Sequence, residues 1–160
     1  MSRVENAEWQ FKDKIHVEGG MLMSAISASA GGKTLTAADS GKTIHLGTSH
    51  AAYTLTLPAN APKGVYYKLL YTGNAAAAVD ITIDAQSDTN FFLGGLQGED
   101  TNNTGDSNAV IVPNGSSNSK VALKTIQIGT WVDCYADGTN WTLAGAIYGD
   151  TGTFAVFADQ

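Results

Sequence analysis

The sequence predicts an all-β protein, a single β-sandwich or jelly-roll-like domain with an extended N-terminal arm. Three observations point there. Apolar and polar residues alternate in short runs between Gly, Pro, Asn and Asp signals. No segment repeats its apolar residues at helical spacing. The composition, with 18 Gly and only 15% charged residues against roughly 25% in an ordinary soluble domain, describes a polar but nearly neutral surface. A chain of 160 residues closes one such core and is short for two.

The elements follow in order. Residues 1–20 form the arm and its Gly19-Gly20 hinge, and residues 21–160 the body. Within the arm, Trp9, Phe11, Ile15 and Val17 occupy odd positions separated by Gln10, Lys12, Lys14 and His16, the pattern of an extended segment with one apolar face. With Val4 they are the expected contact residues for a neighbour. Met21 to Ala30, small and flexible, leads through Gly31-Gly32 into the body.

There, strands are expected at Thr43 to Gly47, Tyr53 to Leu57, Val65 to Tyr71 and Val79 to Asp84. Pro58 ends the second by removing a ladder donor. Gly94 to Asn108, almost without apolar content, reads as a long surface excursion. Later strands are expected at Ala109 to Val112, Lys120 to Ile128, Trp131 to Ala136, Asn140 to Ala146 and Thr153 to Phe157. In Lys120 to Ile128 the apolar positions change parity between Leu123 and Ile126, so a bulge near Lys124-Thr125 is expected to keep both pairs inward. Asp137-Gly138-Thr139-Asn140 supplies a tight hairpin turn.

Charge and composition exclude several functions. A net charge of -6 with nine scattered Lys and Arg residues offers no basic stripe for nucleic acid. Cys134 is the single cysteine, which rules out an intrachain disulfide and a Cys-based zinc site. The N-terminus lacks the apolar core of a signal peptide, and no apolar run approaches the ~20 residues of a membrane helix. The expectation is a protein made and kept in the cytosol, or released by lysis, with no membrane partner.

Catalytic chemistry finds little support. His16, His45 and His50 are the only histidines, there is no G-x-S-x-G elbow, and Cys134 shares parity with Val132 and Ala136, as a small buried hydrophobe does. Asp84, Asp88 and Asn90, and Glu99, Asp100, Asn102, Asn103 and Asp106, recur at short spacing. Neither run has the twelfth-position Glu of an EF-hand loop, and solvated Asx turns explain them better. No phosphate-cradling glycine motif is present. No enzyme activity, cofactor or metal is expected. Trp131, Trp141, Tyr66, Tyr67 and Tyr148 offer rings on which a sugar could stack, although aromatics on strands more often fill cores and interfaces.

Two stretches carry a resemblance. Leu35-Thr36-Ala37-Ala38-Asp39-Ser40-Gly41-Lys42-Thr43-Ile44-His45-Leu46, followed by Tyr53-Thr54-Leu55-Thr56-Leu57-Pro58, resembles an opening shared by many bacteriophage virion proteins. Gly129 to Trp141, with Trp131-Val132 and Asp137-Gly138-Thr139-Asn140-Trp141, is similar to the hairpin that closes the same modules. The resemblance implies a phage capsid decoration, or cement, protein: a β-rich homo-oligomer, typically a trimer, seated on the outer capsid surface of the virion against the major capsid protein. Head fibres, tail fibres and baseplate parts use related modules, so a glycan- or receptor-binding appendage is the alternative. In this reading the arm, through Val4, Trp9, Phe11, Ile15 and Val17, lies across a neighbouring subunit or the capsid.

Overall fold

A computed structural model describes residues 25–28, 31–48, 51–73, 79–102, 108–149 and 153–160. Among the described residues, twelve strands account for nearly all the regular structure: β1 (Ala25–Ala28), β2 (Lys33–Thr34), β3 (Thr43–Leu46), β4 (Tyr53–Thr56), β5 (Tyr66–Tyr71), β6 (Ile81–Asp84), β7 (Phe92–Asp100), β8 (Ala109–Ile111), β9 (Lys120–Leu123), β10 (Trp131–Ala136), β11 (Trp141–Gly149) and β12 (Ala155–Ala158). They form a seven-stranded sheet in the order β1-β3-β5-β10-β11-β7-β8 and a five-stranded sheet in the order β12-β9-β6-β4-β2. The protein is an all-β sandwich.

The first six strands step alternately from one sheet to the other. Each pairs in parallel with the strand two before it, as β1 with β3 and β3 with β5, or β2 with β4 and β4 with β6. The result is a flattened coil of three turns. The second half closes it with antiparallel strands, β10 along β5 and β9 along β6. These parallel pairings separate the fold from the antiparallel Greek keys of a jelly roll.

Alternation places the core. In β3, β4, β5, β6 and β10 every second residue is buried, so Ile44 and Leu46, Leu55, Tyr67 and Leu69, Ile81 and Ile83, and Val132 and Cys134 all face the opposite sheet. Tyr67 stacks on Trp141, ring centroids 5.7 Å apart, and donates its hydroxyl to the Thr36 carbonyl at 2.7 Å. The phenol thus reaches a polar partner while its ring fills the core.

The two stretches that carry the resemblance build turns and core. Leu35 is buried, and Ala37–Asp39 forms a 3-10 turn that takes the chain from β2 across to β3. The Asp39 carboxylate receives the Thr36 amide at 3.0 Å and the Lys42 ammonium at 2.7 Å. The Lys42 hydrogen bond, followed by those from Thr36, holds its pKa down at about 2. At the other stretch β10 and β11 form the expected hairpin, Ala136 opposite Trp141. The Asp137 carboxylate accepts the amides of Thr139 and Asn140 at 2.7 and 2.6 Å, and Gly138 takes φ +100°, which a side chain would disfavour.

Three expectations are corrected. Gly94 to Asn108 is not a surface excursion throughout: Phe92–Asp100 is a nine-residue strand in parallel register with β11 along its whole length. Its glycines disguise it. A Cβ on Gly98 would lie 2.1 Å from the Phe154 ring, so that ring fills the space a side chain would take. Second, Ala25–Ala28, inside the stretch read as a flexible lead-in, is a strand paired with β3. Third, Lys120 to Ile128 bends at Thr125 as expected, but the bend does not keep both pairs inward. The strand stops at Leu123, Thr125 adopts φ +39°, and Ile126 turns inward while Ile128 is left 63% exposed.

Candidate functional site

The arm residues Val4, Trp9, Phe11, Ile15 and Val17 lie outside the described residues. Among the described residues, the feature with the character of a contact site is the outer face of the seven-stranded sheet. In β10, Val132, Cys134 and Ala136 are buried, so Trp131, Asp133 and Tyr135 face outward. In β5 the same logic turns Tyr66, Lys68 and Leu70 out beside them, with Tyr66 opposite Tyr135, Lys68 opposite Asp133 and Leu70 opposite Trp131.

Three of these side chains bond the carboxylate of a fourth, Asp133. Asp133 Oδ1 accepts the Tyr66 hydroxyl at 3.2 Å and the Lys68 ammonium at 3.3 Å, and Oδ2 accepts the Tyr135 hydroxyl at 3.4 Å. The rings of Tyr66 and Tyr135 stack with centroids 4.8 Å apart, and Lys68 Nζ lies 4.7 Å above the Trp131 ring. Burial first, and then the neighbouring Asp133 charge, push the Tyr66 phenol up to about 12 and raise that of Tyr135. Both remain neutral hydrogen-bond donors at physiological pH. The cluster is a rigid, self-neutralised aromatic ridge.

Beside it the face is uneven. The outward residues of β11 and β7 include Ala144, Ala146 and Gly95 but also Thr142, Tyr148, Leu93 and Gln97, and the Val112 side chain lies over Gly95. On the edge strand β8 and just after it, Val110 and Val112 are 78% and 63% exposed. Tyr135 is 45% exposed.

The rings proposed for sugar stacking therefore separate. Trp141 and Tyr67 are core residues, whereas Trp131, Tyr66 and Tyr148 are half-buried. Tyr135, Asp133 and Lys68 were not expected as site residues. Their signal was present in the parity that turned Cys134 inward, because the same alternation turns its neighbours outward.

The groups weighed for chemistry in the sequence lie apart from this ridge or inside the core. The Cys134 thiol is fully buried, and that burial raises its pKa, the opposite of what a nucleophile needs. His45 sits on β3, half-buried, in register with Leu70; His16 and His50 lie outside the described residues. Several of the candidate calcium ligands are engaged in hydrogen bonds of their own. Asp84 accepts the Gln86 amide at 2.7 Å, Asp100 accepts the Asn102 amide at 2.9 Å, and the buried Asn90 bonds the Asn60 amide and the Thr139 carbonyl. Among the described residues no three His, Cys, Asp or Glu side chains converge; Asn103 and Asp106 lie outside them. One open cleft of about 380 Å³, lined by Gly32, Thr34, Tyr53 and Thr54 among others, lies at the β2 edge and holds hydroxyls and backbone but no paired acid and base.

The sequence matches no protein-family model and no curated protein sequence.

Proposed function

We propose that this chain is a structural virion protein that decorates and stabilises a bacteriophage capsid, binding the major capsid protein at the outer surface as a homo-oligomer. The observation that carries the reading is the outer face of the seven-stranded sheet. It is a broad surface of aromatic, aliphatic and neutral polar side chains in which Lys68 and Asp133 neutralise each other and Glu99 stands near one end, so burial against protein desolvates few full charges. The two stretches resembling phage virion modules support it independently. Several weak contacts, repeated across an oligomer and then across a shell, add as effective concentration rather than as single-site affinity.

The arm supplies the second contact. Deletion of residues 1–18, or Trp9→Ala with Phe11→Ala, is expected to leave a body with an unchanged circular dichroism spectrum and to lower its occupancy on shells. Occupancy is read by co-sedimentation with capsids, and equal occupancy would remove the arm from the mechanism. Immunogold labelling of virions tests the assignment itself. Label over heads supports decoration, and label confined to tails or fibres overturns it.

The alternative reading, an appendage that binds a host-surface glycan, draws on the exposed ridge of Trp131, Tyr66 and Tyr135. Stacking Tyr66 on Tyr135 turns one face of each ring away from a ligand, which weakens that reading relative to assembly. A shift of tryptophan fluorescence on titration with glycans, lost in Trp131→Phe, would favour it.

A further inference from the structure

We infer that the open edge of β2 is completed by residues 9–17 of the same chain, added to the five-stranded sheet as one more parallel strand with Asp13 opposite Lys33. This seat goes beyond the capsid reading, which sends the arm to a neighbour without giving it a place on its own body.

The topology of the coil selects the edge. Every strand from β3 to β6 lies in parallel beside the strand two before it. By the same rule a strand ahead of β1 falls in the five-stranded sheet, next to β2. Among the described residues β2 has only β4 as a neighbour. The Leu35 amide donates to the Thr56 carbonyl at 2.8 Å, so the alternation of a strand points the Thr34 N–H and C=O the other way, toward the open side. A stack of parallel rungs needs a terminal unit that covers such an edge.

Spacing selects the segment. Ala25 pairs with Thr43, 18 positions on; Lys33 with Leu55, 22; Thr43 with Lys68, 25; and Tyr53 with Ile81, 28. Asp13 precedes Lys33 by 20, between the two shortest rungs. Residues 18–24, with Gly19-Gly20 among them, leave seven to cross to β1, and the described crossings from β1 to β6 use four to nine. No other stretch outside the described residues exceeds five, too short for a strand and the two crossings it needs.

Pattern and charge select the register. In and just after β2 the odd positions take the inner face: Lys33 stands in register with the buried Leu55, and Leu35 is itself buried. Trp9, Phe11, Ile15 and Val17 are odd as well, and an even offset of 20 keeps them on that face. Asp13 is the one charge among them. Lys33 is the one charge on the inner row of Lys33, Leu55, Ile83, Val121 and Phe157; it is exposed and forms no ion pair among the described residues. The register sets the two side by side as a cross-strand pair of opposite sign. Phe11 then comes opposite Gly31, where an added side chain meets nothing within 4 Å, at the open cleft that Gly32, Lys33 and Tyr53 also line. The other parity turns Gln10, Lys12, Lys14 and His16 outward beside Thr34 and Thr56. This polar, basic strip is what the seated arm offers to a neighbour, while Trp9 and Phe11 hold it in place.

Amide hydrogen exchange on the full chain tests the seat, because the circular dichroism of the twelve described strands changes little with one more. The Thr34 amide is expected to exchange at least about tenfold more slowly in the full chain than in the chain lacking residues 1–18. Asp13→Lys should remove most of that protection, and Asp13→Lys with Lys33→Asp should restore it; Lys33→Asp changes an exposed side chain and leaves the core intact. Asp13→Cys with Lys33→Cys should close a disulfide within one chain, since strands ~4.8 Å apart bring neighbouring Cα atoms into its range and the buried Cys134 does not compete. Asp13→Cys with Val156→Cys, exposed on the far edge strand β12, should not. Equal Thr34 exchange with and without residues 1–18 overturns the inference. So does a disulfide that links two chains, which gives the edge to a neighbour's arm, or a double reversal that leaves the amide unprotected. None of these measurements uses a virion, and the immunogold labelling is scored separately, so failure of the seat and failure of the capsid assignment are distinguishable.

Discussion

The two sheets bury their inner faces by the same alternation yet present different surfaces to solvent. Outward positions of the five-stranded sheet are mostly small or hydroxylated, with Thr54 and Thr56 on β4, Thr82 on β6 and Ala122 on β9, and its Lys120 and Asp84 are cross-strand neighbours. Outward positions of the seven-stranded sheet carry Trp131, Tyr135, Tyr66, Leu70 and Val110. Threonine and the aromatics are all good strand formers, so neither choice is forced by the fold. The difference shows that strand propensity and surface chemistry are set separately. One sheet satisfies the first with hydroxyls that water solvates, the other with rings that favour a protein neighbour.

The largest expected effect tests whether the apolar face rests on an equally demanding core. Trp141→Ala, removing a buried ring that stacks on Tyr67, should cost about 3–5 kcal/mol in chemical denaturation, whereas Ile83→Val beneath the threonine face should cost about 1 kcal/mol. Similar losses at both sites would show that the two inner faces are not distinguished by their aromatic content. Next, Trp131→Thr with Tyr135→Thr makes the aromatic face resemble the other. Stability should fall by less than about 2 kcal/mol, because both residues are only partly buried and threonine suits a strand, while self-association in light scattering is lost. Retained association would sever the link between rings and assembly.

The smallest effect lies at the turn that joins the two sheets. Asp39 is held at about 2 in the folded chain against an ordinary value of 3.8. Its contribution to stability is therefore present above about pH 4 and lost as pH falls through about 2. Acid titration of the thermal midpoint should show wild type and Asp39→Asn converging across that window. A constant separation would assign the effect to the geometry of the turn rather than to the charge. The Lys42 partner is partly exposed, so the difference should be small.

Much of the fold was legible because its strands obey a strict period of two. Tyr53-Thr54-Leu55-Thr56-Leu57 and Val132-Asp133-Cys134-Tyr135 state their inner and outer faces outright, and Asp137-Gly138 states its hairpin. β7 was hidden because Gly94, Gly95 and Gly98 read as loop, and Phe154, which fills the space at Gly98, lies 56 positions further along the chain. Sheet order was hidden for a related reason: parallel partners are set by distant strands, and no local turn records them. The pattern read as an arm falls on residues outside those described. The aromatic ridge could be listed residue by residue, but the pairing of β5 with β10 that gathers it around Asp133 is a product of topology.

The coiled first half also bears on how the chain is made. Partners there are near in sequence, Ala25 with Thr43 and Thr43 with Lys68, so each new rung can dock on the last as the chain leaves the ribosome. Phe92, by contrast, waits 49 positions for Trp141. A growing stack of parallel rungs has no inherent stopping point, and its open ends invite another chain. The later strands β9 and β10 close it at β6 and β5, so the closed sandwich depends on sequence made well after the coil. Premature termination before Lys120 would leave both β5 and β6 without their closing strands, an aggregation-prone species rather than a smaller version of the same protein.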